Sequence, residues 1–136
     1  MTEHHSPTVS RGPSRPAGFT LIELLVVMAI IATLLSIAAP RYFDHLERVR
    51  EATLRQSLAV VRDAIDKYRA DTGIYPQQLD DLVSRRYLRA LPKDPITESD
   101  ATWKLLAPPD GGGEGVWDIR SGAAGAASGG GNYADW

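Results

Sequence analysis

The chain has no cysteine among its 136 residues, so no disulfide can staple any part of it in an oxidising compartment. Histidine is nearly as scarce. His4 and His5 sit at the far N-terminus, and His45 lies in a charged stretch where a solvent-facing role suits it. No nucleophile, base and orienting acid fall into a recognisable set, and no glycine run follows a strand as a phosphate-binding loop does. The residues therefore point away from catalysis, and no cofactor is required. A strong charge of either sign is also missing: 15 basic and 17 acidic residues leave a net of −2. Nucleic-acid binding relies on a basic surface. The one short basic group, Arg85, Arg86 and Arg89 on a predicted helix, reads as a solvated face.

What the sequence does have is a long apolar run. From Phe19 to Ala39 there are 21 residues whose only charge is Glu23, and a helix of that length spans about 30 Å, the thickness of a bilayer's hydrocarbon core. A carboxylate inside such a span costs on the order of 2–3 kcal/mol or more toward the centre. It therefore calls for a positive partner, or for a place at the membrane edge where it snorkels beside the positive end of the helix dipole. An ordinary secretory signal with Arg11 and Arg15 as its charged region and Ser36-Ile37-Ala38 as its cleavage site is a competing reading. Its apolar region would run well past the usual length of about 7–15 residues. A plain uncleaved anchor explains the length but neither Gly18 nor Glu23.

The block Gly18-Phe19-Thr20-Leu21-Ile22-Glu23, continued to Pro40, resembles the type IV pilin-like proteins made with a prepilin leader. The resemblance implies that residues 1–18 are a leader removed by a dedicated prepilin peptidase after Gly18, and that the new amino terminus, Phe19, is N-methylated. It also implies that Glu23 pairs with the terminal amine of a neighbouring subunit during filament assembly. Without the leader the chain keeps 13 basic and 16 acidic residues. The counts of Lys and Arg do not settle orientation. Arg11 and Arg15 precede the span and Arg41, Arg48, Arg50 and Arg55 follow it, but the positive-inside rule fades for loops beyond about 60 residues, and 96 follow Pro40. A single-pass inner-membrane protein with its C-terminal region in the periplasm is what the resemblance implies.

Pro40 removes one backbone donor and predicts a break or bend, either as a hinge or as the first turn of a separate helix. Beyond it Leu46, Val49, Leu54, Leu58, Val61, Ile65 and Tyr68 recur three to five apart between charged residues. That pattern predicts an amphipathic helix over 41–72, closed by Gly73. The turns Gly73-Ile74-Tyr75-Pro76 and Leu91-Pro92-Lys93-Asp94-Pro95, with a short helix over 78–86 between them, are similar to those of the major pseudopilins of type II secretion, the G component. Segments 102–106 and 116–120 read as a hairpin anchored by Trp103 and Trp117. The fold expected is α+β and type IV pilin-like: a membrane and assembly helix over 19–40, the amphipathic helix, and a small C-terminal region over 73–136 with an antiparallel sheet laid on that helix. The Gly/Ala/Ser-rich tail from Ser121 to Gly131 is predicted to be mobile for want of apolar bulk, with Tyr133 and Trp136 folding back onto the sheet.

In the major pseudopilins this tail region generally holds calcium, an ion that takes about six to eight oxygens. Here only Asp118 and Asp135 flank an acid-free run, so calcium near them is an expectation carried by the resemblance alone. The resemblance further implies a homo-oligomeric helical filament, other pseudopilins, and an inner-membrane assembly platform with its ATPase as partners. The function it implies is a structural subunit of a periplasmic pseudopilus that drives folded proteins across the outer membrane. A type IV pilin or minor pilin for adhesion, motility or DNA uptake remains open, as does a monomeric membrane-anchored binding module.

Overall fold

The computed structural model describes residues 1–4, 6–13 and 17–136; Arg15 and His5 lie outside them. The chain divides into two compact units, Met1–Ala39 and Pro40–Trp136. In the first, the described residues before Leu21 have no regular structure, and helix α1 (Leu21–Thr72) begins there. Every residue from Leu21 to Ala39 is exposed, and this part of α1 is long and apolar enough to cross a membrane. Its few hydroxyls are satisfied within the helix: Thr33 donates to the Ala29 carbonyl and Ser36 to that of Ala32, each at 2.8 Å. Self-contained hydrogen bonding is what a lipid environment demands.

Of the predicted break or bend, a break in helical structure is not found at Pro40, which lies inside the 52-residue α1. Proline withholds only its own amide, and the helix-forming neighbours on both sides keep theirs. The boundary between the two units nevertheless falls between Ala39 and Pro40.

In the second unit α1 buries Leu54, Leu58, Val61, Ala64, Ile65 and Tyr68, a stripe of three- and four-residue steps. Each fully buried Leu, Ile or Val contributes about 1.5–3 kcal/mol, which makes this stripe the base of the domain. It starts later than the periodicity predicts. Leu46 is half-buried and Val49 is 47% exposed, while the carboxylate residue Glu51 is buried at the head of the stripe. The helix closes as predicted. Gly73 takes φ +78° and its amide donates to the Arg69 carbonyl at 2.9 Å, a left-handed cap suited to glycine.

Helix α2 (Asp80–Ser84) is shorter than the predicted 78–86. The Gln77 and Gln78 amides are taken by the Asp81 carboxylate at 3.0 and 3.2 Å, and Arg86 turns to φ +64°. Leu79 and Leu82 are buried in the common core. The two proline turns act as docking points. The Pro76 carbonyl accepts from Val116 N at 2.7 Å. Asp94, fully buried, accepts from Ile96 N at 2.8 Å and from the Ser121 hydroxyl. Pro92 offers its carbonyl to the Trp103 indole at 2.9 Å.

Strands β1 (Lys104–Leu106) and β2 (Asp118–Arg120) pair antiparallel, with Leu105 opposite Ile119. Trp103 and Ile119 join the core, but Trp117 does not: it is 41% exposed, and Val116 takes the buried place. The predicted alternation assumes a strand from residue 116, whereas Gly115 at φ +112° turns the chain just before it and β2 starts only at Asp118.

The largest departure concerns the tail. Ser121, Ala123 and Ala127 are buried, although the composition offers little apolar bulk. Tyr133 is buried as well, and Trp136 packs against the same core. Small side chains allow close approach in place of bulk, and polar contacts, described below, replace the missing apolar area.

Candidate functional site

The first turn of α1 brings together three residues singled out by sequence. Gly18 lies in open space, with no atom within 4 Å of where a Cβ would stand, and Phe19 is 92% exposed. Nothing in the described chain covers the bond between them. Thr20 and Glu23 are joined reciprocally: the Thr20 amide donates to Glu23 Oε2 at 3.0 Å, and the Glu23 amide donates to Thr20 Oγ1 at 3.2 Å. This is a capping box, which satisfies two amides otherwise orphaned at a helix start. The Thr-x-x-Glu spacing is legible in the sequence, and it gives Thr20 a role beyond the predicted set. Phe19, Thr20, Leu21, Glu23, Leu24 and Val27 line a shallow groove that is almost wholly apolar.

Asp118 and Asp135 are not brought into a cation site. The Asp118 carboxylate accepts from Arg62 Nε at 2.6 Å and from Ile119 N at 2.8 Å, while the same guanidinium donates to the Ile119 carbonyl at 2.9 Å. Asp135 is exposed in a final 3-10 turn. Among the described residues, no group of three or more His, Cys, Asp or Glu side chains is placed to hold a metal. Calcium needs carboxylate oxygens free to coordinate it, and the Arg62 guanidinium already holds Asp118 through Oδ1. The residues present do not fit the ion.

A different acid contacts the tail. Glu51 accepts from the Ser128 amide and from its hydroxyl, both at 2.6 Å, and from the Tyr133 hydroxyl at 2.9 Å. Those bonds, led by Ser128 and aided by Arg55, hold its carboxyl below the ordinary value against the opposing effect of burial. Burial and the Glu51 charge push the Tyr133 phenol up. On sequence alone Glu51 looks like one more charge on a solvated helix, and only its partners more than 70 residues away reveal it. Arg85, Arg86, Arg89 and His45 are all exposed.

Comparison with known proteins bears on residues 13–39, which match the family model for the prokaryotic N-terminal methylation motif. Over almost the whole length the chain is similar to two proteins named type II secretion system core protein G. The one from Vibrio cholerae is 29% identical, covering 89% of this chain and 90% of its own. That from Pseudomonas aeruginosa is 30% identical, covering 88% and 92%. A fimbrial protein, EcpC of Eikenella corrodens, is 39% identical over a shorter stretch, 43% of this chain and 39% of its own. No solved structure gives a significant match.

Proposed function

Because this chain belongs to the family of type II secretion system core protein G, we propose that it is a pseudopilin, a structural subunit of a periplasmic pseudopilus. The observation that carries this reading is the first turn of α1, where one carboxylate stands at the head of an uncovered apolar helix that matches the methylation motif. In this reading the prepilin peptidase cuts after Gly18 and methylates the amine of Phe19. The subunit then waits in the inner membrane by its single span, with its C-terminal domain in the periplasm. Glu23 docks on the Phe19 amine of a neighbouring copy, in a low-dielectric setting where only a correctly placed pair offsets the desolvation of both charges. Subunits stack helix on helix, with Pro40 as the point where α1 can loosen.

The fibre grows together with other pseudopilins on an inner-membrane platform whose ATPase supplies the energy, and its elongation drives folded proteins across the outer membrane. The chain itself contributes shape and charge, not catalysis. The likeness to the fimbrial protein is confined to a shorter stretch, whereas the core protein G relatives are matched over about nine-tenths of their length. The secretion reading is therefore preferred to a surface pilus.

Intact-mass measurement of the protein purified from membranes tests the processing step. The expected species begins at Phe19 and carries one methyl group. A species beginning at Ala39 would instead establish an ordinary secretory signal, and one retaining residues 1–18 would establish an uncleaved anchor.

A further inference from the structure

The stretch from Ser121 to Gly131 has little apolar bulk, yet Ser121, Ala123 and Ala127 are buried, and carboxylates hold it at Ser121 and Ser128. Asp94 takes the Ser121 hydroxyl at the near end, and the Ser121 oxygen in turn accepts from Ala123 N at 3.1 Å. Glu51 takes the far end. We infer that the Glu51 side chain closes this loop onto α1 in the role a calcium ion would otherwise fill, so that the domain is stable without calcium.

Glu51 is 8% exposed, and three donors from two residues of the tail converge on its two oxygens. A calcium site works the other way round, gathering several acids about one cation. Here one acid gathers several donors. Of the acids near the tail, Asp94 is committed to the Ile96 amide and Ser121, Asp118 is held by Arg62, and Asp135 is exposed in the last turn; among the described residues no three such groups are gathered to hold an ion. The Ser128 amide and hydroxyl, turned toward Glu51, are donors and would repel a cation. One turn along α1, the Arg55 guanidinium lies 4.2 Å from the Trp136 ring centroid, and Trp136 meets Tyr133 edge-on at 5.4 Å. A cation over an aromatic face adds attraction without any metal. The charges bearing on this contact are thus Glu51, Arg55 and Glu47, the last acting on the Tyr133 phenol.

The inference stands apart from filament assembly and is tested on the isolated full chain in nonionic detergent. Thermal unfolding followed by near-ultraviolet circular dichroism should give the same Tm in millimolar calcium chloride and in excess EGTA. A calcium site saturated a hundredfold would raise Tm by roughly 10 °C or more, and such a rise in the native protein would overturn the proposal. Glu51→Gln should lower Tm by about 5–10 °C, with no recovery on adding calcium. If that variant does not fold, Tyr133→Phe, which keeps the ring and removes only the hydroxyl, should lower Tm by about 4 °C or more. An unchanged Tm in the foldable variant would equally overturn the proposal. A pH series gives a second readout. Since the Glu51 carboxyl lies below its ordinary value of 4.5, its contribution is complete above that value and is lost as pH falls through the lowered one. Glu51→Gln should lack this acid-side loss.

Discussion

Replacing Glu23 with alanine is expected to lower incorporation into filaments, and secretion with it, by roughly a hundredfold or more while leaving membrane insertion intact. Breaking a buried ion pair by removing one partner costs about 3–5 kcal/mol, and every 1.4 kcal/mol is a factor of about ten in association. Insertion should not suffer, because a charge within an apolar span opposes partition into lipid and its removal favours it. The alanine variant also loses the capping-box contact to the Thr20 amide, so it confounds helix fraying with the missing charge. Glu23→Gln separates the two, since glutamine serves that contact as well as glutamate does but cannot neutralise an amine. The glutamine variant is expected to fail in assembly almost as severely as alanine. Crosslinking between subunits and export of a reporter cargo are the measurements. Wild-type assembly by Glu23→Gln would refute charge pairing as the docking step, and normal assembly by Glu23→Ala would count against any role of Glu23 in assembly.

Gly122→Ala is expected to have the largest effect on the C-terminal domain. A Cβ at this position would stand 1.8 Å from the Thr102 carbonyl oxygen and 2.9 Å from its carbon, an overlap with backbone that no side-chain rotation relieves. Either the segment after β2 or the one before β1 must move. Both are tethered, Ser121 by the buried Asp94 and Trp103 by the Pro92 carbonyl. Overpacking of this kind costs about 3 kcal/mol or more, equivalent to a Tm decrease of roughly 12 °C or more for a unit of this size. Thermal unfolding of the full chain in detergent measures it. A change of a few degrees or less would mean that the approach of Gly122 to Thr102 is looser than described.

Features governed by nearest neighbours were legible in the sequence. The apolar span, the spaced stripe from Leu54 to Tyr68, the closing Gly73 and the pairing of two short strands all follow from spacing and local conformational preference. The turns at Tyr75-Pro76 and Asp94-Pro95 were legible too, although their use as anchorage for residues 116 and 121 was not. What escaped depends on partners far along the chain. Glu51 lies among charges that face water, and only Ser128 and Tyr133 make it an interior residue. The same contacts order a glycine- and alanine-rich tail whose composition argues for mobility. Trp117 looked like an anchor because the alternation assumes a strand from residue 116, whereas β2 starts only at Asp118, after the turn at Gly115. Pro40 was expected to break or bend α1, and helical structure continues through it without one bond. At the head of α1 the residues Gly18, Phe19 and Glu23 were all singled out by sequence, while the tie between Glu23 and Thr20 emerged from geometry.

The two strands are three residues long, and a ribbon so short does not persist by itself in water. It is held by Arg62, whose partner Asp118 lies 56 positions away, and the tail is held by Glu51 across 77 and 82 positions. Joining such distant points requires closing long loops before any contact repays them, which makes folding slow relative to helix formation. The chain can therefore complete α1 early, yet it must hold the stripe from Leu54 to Tyr68 bare until residues 128 and 133 have followed. During that interval the domain is at its most vulnerable to proteases and to its own neighbours.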